Sequence, residues 1–150
     1  MFTAIRPHVR WLVRRDMPEV LAIDHASFGD PWNEEAFLKR LRERNCIGMC
    51  CEDRDGRVVG FMIYELHRGR VYVLRLAVHP DFRRQGVGRA MVAKLRGKLD
   101  PRRNRLVFDV PAGNLWAQLW LRACGVPTTL VVDDGETYRF VERYGEVATC

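Results

Sequence analysis

The sequence predicts a single α/β domain of the α+β kind. Its core is a mixed, mostly antiparallel seven-stranded sheet with helices on both faces. Three observations predict it. Apolar residues alternate between strand and helix periodicity in the order β-α-α-β-β-β-α-β-α-β-β. Asp55-Gly56 stands between two apolar runs as a hairpin signal. A strand ending at Val78 then passes through a glycine-bearing loop into an amphipathic helix. The 150 residues suit one domain spanning 1–150, with no room for two. A chain of this length buries roughly 68–70% of its unfolded surface.

Val9 to Val13 reads as the first strand. Asp16 is placed to cap a helix, with Pro18 in the first turn and Glu19 three residues on to complete a capping box. Val20, Ile23 and Phe28 follow helical spacing, and Gly29-Asp30-Pro31 breaks it. Asn33 caps a second helix whose Phe37, Leu38 and Leu41 share a face. Cys46–Cys51 and Val58–Leu66 are strands, and Arg68-Gly69-Arg70 is a turn. In the next strand, Val71–Val78, strict alternation puts Val71, Val73 and Arg75 on one face. Tyr72, Leu74, Leu76 and Val78 fall on the other. These three strands form an antiparallel meander that Pro80 ends. Val87, Met91, Leu95 and Leu99 recur at four-residue spacing, as in an amphipathic helix. Arg105–Val110 is almost continuously apolar and is expected to be buried on both faces. Asn114 caps a fourth helix that runs to Cys124, with Gly125 where helices terminate. Leu130–Val132, Asp134-Gly135 and Tyr138–Val141 make a closing hairpin.

Composition excludes several classes. Apolar residues make up 47% and charged residues 29%, which rules out a wholly disordered chain. The longest uncharged stretch, Val110–Leu121, has 12 residues. A membrane span needs about 20. Met1–Arg10 lacks the apolar core of a secretory signal, so the expected compartment is the cytoplasm. The cysteines, Cys46, Cys50, Cys51, Cys124 and Cys150, are odd in number and no second cluster completes a ligand set. Neither a disulfide framework nor a metal site is expected. The net charge is +6, and residues 83–105 carry nine basic side chains against one acid, Asp100. Such a run is either a solvated helix face or a site for phosphate groups or nucleic acid. No aromatic residue interleaves it, which argues against single-stranded nucleic acid, so no nucleic-acid partner is expected.

The segment Arg83-Arg84-Gln85-Gly86-Val87-Gly88-Arg89 carries the most chemistry. A strand, a glycine loop and a helix N-terminus present free backbone N–H groups and the positive end of a helix dipole to an anion. Gly86 and Gly88 keep Cβ atoms out of the way, and Arg83, Arg84 and Arg89 add charge. The Gly-Lys-Ser/Thr ending of a P-loop is absent, as is the third glycine of a dinucleotide fingerprint.

Arg83-x-x-Gly86-x-Gly88 after Leu76-Ala77-Val78-His79-Pro80 resembles the acetyl-CoA motif of the GNAT acetyltransferases. The likeness extends over most of the chain. Phe28–Phe37, with Pro31-Trp32 inside it, is similar to the bacterial group that acetylates the N-terminal alanine of a ribosomal protein. The resemblance implies acetyl-CoA as cosubstrate. It also implies a gap between the strand ending at Val78 and the strand Leu106–Val110. The backbone of Leu76, Ala77 and Val78 would pair with the pantetheine amides. The loop Arg83, Arg84, Gln85, Gly86, Val87, Gly88 and Arg89 would hold the pyrophosphate. Asn114 would bond the pantetheine arm, besides capping its helix. The acceptor would be a primary amine on a peptide, a protein N-terminus or a small molecule.

Asp109 is the leading candidate for the base, because a carboxylate inside Leu106–Val110 is costly without a partner or purpose. A structural carboxylate satisfied by arginine fits the same position. Glu65, which ends a strand, is the second candidate. The tyrosine that the family resemblance implies as acid falls on Leu121, which donates no proton. Tyr138, Tyr72 or water then takes that role, with Tyr138 first because the closing hairpin borders the cleft in this family. Trp32 is a candidate for the acceptor wall, and Trp116 and Trp120 for core or cleft wall. A CoA-binding module without turnover is the alternative that Leu121 favours.

Overall fold

In the computed structural model, which describes residues 6–126 and 128–146, seven strands and four helices follow in the expected order. Strand β1 is His8–Trp11, followed by α1 (Met17–Ser27) and α2 (Glu34–Leu41). The meander is β2 (Cys46–Glu52), β3 (Val58–Leu66) and β4 (Arg70–Val78). Then come α3 (Val87–Arg96), β5 (Arg105–Pro111), α4 (Leu115–Ala123), β6 (Thr128–Val132) and β7 (Thr137–Arg143). The sheet order is β1-β2-β3-β4-β5-β7-β6. Among the described residues only β4 and β5 pair in parallel; the other pairs are antiparallel.

Two apolar clusters cover the two faces. Helices α1 and α2 bring Met17, Val20, Ile23 and Phe37 against Phe61 and Ile63. On the opposite face α3 and α4 bring Val87, Met91, Leu95 and Leu121 against Val71, Leu106, Phe108 and Phe140. The four-residue spacing of α3 therefore reads out directly as burial. Asn33 caps α2 as expected, its Oδ1 accepting from the Ala36 N–H at 2.8 Å. Cys46, Cys50, Cys51 and Cys124 are buried, and burial pushes the Cys46 thiol up to about 11 and the Cys50 thiol up to about 12. They are packing residues. Cys150 lies outside the described residues.

Two local expectations are corrected. The capping box at α1 does not form. Asp16 makes no side-chain cap; its carboxylate takes Arg10 at 2.9 Å through both oxygens and the Val13 N–H at 2.8 Å. Glu19 instead accepts from the Val58 N–H. A buried carboxylate outside the helix was better satisfied by a cross-element arginine than by the helix end.

The second correction concerns β4. Ile63 faces Arg75 and Tyr64 faces Val73, so Leu74 is an extra residue, a β-bulge. The bulge reverses the alternation. Val73 before it and Val78 after it lie in the α3–α4 cluster, while Leu74 and Ala77 lie in the α1–α2 cluster. Arg75 is thereby carried to the α1–α2 side, away from Val71 and Val73, where it reaches Asp24 of α1.

The Arg10–Asp16 pair sets an acid limit on stability. The hydrogen bonds from Arg10 outweigh burial and hold the Asp16 carboxyl below its ordinary 3.8. The unfolded chain then binds the proton first as pH falls. The stabilisation is full above about pH 5 and is lost as pH drops through the folded value. Urea midpoints are expected to be flat near neutrality and to fall in acid. Asp16→Asn should cost about 2 kcal/mol at pH 7, since it removes the charge opposite Arg10 while the bond from Arg10 Nε to Glu52 remains.

Candidate active site

Strands β4 and β5 pair only from Arg70–Arg105 to Val73–Phe108. Beyond that point β4 continues on β3 to Val78, and β5 continues on β7 to Pro111. Among the described residues the β5-facing edge of Leu74–Val78 has no strand partner. A cavity of about 80 Å³ opens in the gap, with Leu74–Val78 on one wall and Phe108–Pro111 on the other. Asn114 and Leu121 also line it.

A larger groove of about 490 Å³ lies between the N-terminus of α3 and helix α4. Arg83, Arg84 and Arg89 line it, and no side chain caps α3. Its first N–H groups are therefore free for an anion. Arg84 (φ 62°) and Gly86 (φ 86°) are left-handed on either side of Gln85. Turns of alternating hand make backbone concavities that bind anions.

The two glycines act for different reasons, which corrects the expectation that both simply clear the anion's path. A Cβ at Gly86 would meet nothing within 4 Å, so its positive φ is what requires glycine. A Cβ at Gly88 would stand 2.4 Å from Cζ2 of Trp120. Helix α4 can approach α3 only because residue 88 has no side chain. Trp120 stacks on Trp116 with centroids 6.3 Å apart and planes 6° apart. The Arg83 guanidinium lies 4.7 Å above Trp116, and its Nε donates to the Val78 carbonyl at 3.3 Å. Both tryptophans line both cavities and form the wall between them. The side chains of Gln85 and Val87 do not line the groove: Gln85 donates to the Asp81 carbonyl, and Val87 is core.

Asp109 lines the smaller cavity and is held by two residues. Arg139 donates Nε to Oδ1 at 2.8 Å and Nη2 to Oδ2 at 2.9 Å. The Tyr72 hydroxyl donates to Oδ2 at 2.5 Å. Burial pushes the Asp109 carboxyl up. The hydrogen bonds from Arg139 and Tyr72, with the charges of Arg139 and Arg70, outweigh it and hold the group below 3.8. Burial and the Asp109 bond push the Tyr72 phenol up to about 12, so it stays a neutral donor. A carboxylate offers about four acceptor sites. Three are used here, and one on Oδ1 is left.

The other candidates separate. Asn114 lines the small cavity and caps α4, its Oδ1 accepting from the Ala117 N–H at 3.1 Å. Leu76, Ala77 and Val78 line the same cavity. Tyr138 does not: it stands opposite Val110 on β7 and packs on the α3–α4 cluster. Glu65 does not reach the gap either. It lies toward the other end of β3, beside Tyr72, and takes Nε2 of His67 at 3.0 Å. Trp32 packs edge-on against Phe37 and over Arg75, and Phe28 is the residue of this segment that lines the cavity. Arg139 and Arg75 went unrecognised in the sequence, since nothing local marks an arginine whose partner is 30 or 51 residues away.

The gap between two strands beside an uncapped, arginine-rimmed helix start matches what the Arg83–Gly88 resemblance implied. The model of the acetyltransferase (GNAT) family matches residues 14–126. The chain belongs to the GNAT family. This GNAT chain is an N-acetyltransferase. It is 25% identical over 134 residues to a Bacillus subtilis protein provisionally named ribosomal protein bS18-alanine N-acetyltransferase. That match covers 85% of this chain and 89% of the relative. Its fold resembles the crystal structure of the ribosomal-protein-S18-alanine N-acetyltransferase from Escherichia coli, with a TM-score of 0.70 at 23% identity over 90% of each chain. It also resembles spermidine N-acetyltransferase from Vibrio cholerae in complex with CoA and spermine. There the TM-score is 0.69 at 16% identity, over 93% of this chain and 96% of the other. The GNAT architecture, an open seven-stranded sheet with four helices, is therefore the fold of this chain.

Proposed function

We propose that this GNAT enzyme transfers the acetyl group of acetyl-CoA to a primary amine, on a protein N-terminus or a small molecule. The observation that carries this reading is the unpaired edge of β4 running into an uncapped α3 N-terminus rimmed by Arg83, Arg84 and Arg89. The groove fits a phosphorylated cosubstrate: it offers free N–H groups, three guanidinium groups and an apolar indole wall. Leu76, Ala77 and Val78 would take its amides as an added strand, and Asn114 would bond its arm. The bound thioester supplies the acetyl group.

The acceptor nitrogen forms a C–N bond to the acetyl carbon as the C–S bond breaks, and the thiolate leaves. The nitrogen loses one proton in the process. An α-amine titrates near 7.7–8.0, so a large share is already neutral at physiological pH. Asp109, held ionised by Arg139, is a weak base but a fixed negative charge. Its remaining Oδ1 site would accept from the amine and stabilise the positive charge that develops on nitrogen. Water would carry the proton onward and return it to the thiolate, since Leu121 donates none. Tyr72 and Arg139 act as positioning residues for Asp109. No helix among the described residues is long and apolar enough to cross a membrane. A cytoplasmic location is part of the proposal and is supported by the likeness to a bacterial protein named for acetylating a ribosomal protein.

Calorimetry with acetyl-CoA tests the cosubstrate. Binding is expected, and its affinity should fall with ionic strength because the rim charges are partly screened. No heat would overturn the assignment. Tyr138→Phe is expected to change steady-state kcat by less than about twofold, because the ring packs outside the cavity. A loss of about 10²-fold would instead make Tyr138 the acid. Leu121, 2% exposed, is the observation that favours the second reading, a CoA-binding module without turnover. Turnover on a panel of peptides and amines separates the two.

A further inference from the structure

Arg75 stands on β4 directly after the bulge and is 8% exposed. Asp24, fully buried, accepts from its Nε at 2.8 Å and from its Nη2 at 3.3 Å. Nη2 also donates to the Asp30 carbonyl at 2.7 Å. The Phe28 and Trp32 rings lie 4.1 and 4.5 Å from the guanidinium carbon. Among the described residues nothing accepts from Nη1. No buried side-chain nitrogen or oxygen among them lacks a partner, so Nη1 keeps part of the residual exposure. Arg75 lines the same 80 Å³ cavity as Asp109.

The gap is thus bordered on one side by Arg75, which carries a positive charge and one N–H group without an acceptor among the described residues. On the other is a carboxylate oxygen with one site left. A cavity of this size takes only a few heavy atoms, so an acceptor enters by its amine end. An amine with a carbonyl or carboxylate oxygen a few bonds away satisfies both groups together. A polyamine offers Nη1 no acceptor and brings a second cation toward the guanidinium.

We propose that Arg75 selects the acceptor by donating from Nη1 to the carbonyl or carboxylate oxygen beside the attacking amine. The acceptor class is then a peptide N-terminus or an amino acid rather than a polyamine. This inference rests on the acetyl-transfer reading above.

The test uses the full chain, acetyl-CoA and four acceptors: an alanine-initiated tetrapeptide, the same peptide with its first carbonyl and the following N–H both replaced by methylene so that no second cation is added, free alanine, and spermidine. In the wild type, the methylene analogue is expected to raise KM, counted per neutral amine, at least about tenfold over the tetrapeptide, one hydrogen bond to a charged donor. Spermidine should show kcat/KM at least about 100-fold lower than the tetrapeptide or alanine, whichever is better. The ratio of tetrapeptide to alanine tells peptide from free amino acid. Arg75→Lys keeps a charge beside Asp24 but removes the fork. It should narrow the methylene effect to within about threefold and leave acetyl-CoA affinity within about twofold. The double variant Asp24→Leu/Arg75→Met removes both buried charges and should narrow the ratio equally. Equal use of the methylene analogue by the wild type would overturn the proposal, as would a preference for spermidine. So would an equal loss on all acceptors in both variants, which would make Arg75 purely structural. A wild type that binds no acetyl-CoA overturns the acetyl-transfer reading, and this inference with it.

Discussion

Gly88→Val is expected to raise the acetyl-CoA dissociation constant at least about 100-fold while the protein stays folded. The cause is steric. A Cβ at residue 88 would lie 2.4, 2.9 and 3.1 Å from three atoms of the Trp120 indole. The ring is stacked on Trp116 and packed against the core, so it cannot retreat. It must swing into the groove that Arg83, Arg84 and Arg89 rim. Overpacking of this kind costs typically 1–3 kcal/mol even where the neighbours adjust. Calorimetry with acetyl-CoA, alongside a thermal melt, reads both effects. Trp120→Leu in the same chain frees the space and should restore most of the affinity. Unchanged affinity in Gly88→Val would mean that the groove is not the cosubstrate site. Gly86→Ala is the contrasting case. It meets no atom, and its penalty is the roughly 1–2 kcal/mol of a left-handed residue carrying a Cβ.

Asp109→Asn is expected to lower kcat about 10²–10³-fold, the scale of losing one preorganised charge at a reacting centre. Acetyl-CoA affinity should stay within about twofold. Because Arg139 and Tyr72 hold the carboxyl below 3.8 against its burial, Asp109 stays ionised across the assay range. The rising limb of the wild-type rate profile should therefore follow the acceptor amine near 7.7–8.0. Arg139→Met removes the opposing charge, so burial then raises the Asp109 carboxyl, and a second limb should enter from the acid side. Full activity in Asp109→Asn would overturn the assignment and leave solvent alone to take the proton.

The sheet was legible in the sequence because each of its signals is local. Asp55-Gly56 marks a hairpin, Val87-Met91-Leu95 a helix face and Asn114 a cap, and each needs only neighbours a few residues away. The arginine-rimmed loop was legible for the same reason. The Leu74 bulge was not. It is set by how β3 registers on β4, and alternation alone put Arg75 on the wrong face. The carboxylate inside β5 announced itself by its apolar neighbours, and the arginine alternative considered for it is the contact observed. The identity of that arginine depended on β7 lying beside β5, a pairing across 30 residues. Trp120 against Gly88 is likewise an inter-helix contact that neither helix records by itself.

The bulge also gives β4 two reading frames. Up to Val73 the odd-numbered residues supply the α3–α4 core, and beyond Leu74 the even-numbered ones do. A one-residue deletion at Leu74 would join the frames. It would leave Arg75 on the Asp24 side, because Val73, Arg75, Leu76 and Ala77 then alternate as one unbroken strand with every side chain on the face it already occupies. A one-residue insertion elsewhere in β4 would have to be absorbed by the loop at 67–70 or the turn after Val78. Length variation in this strand is therefore confined to its ends and to the bulge, where one residue can be lost without moving any other side chain to the opposite face.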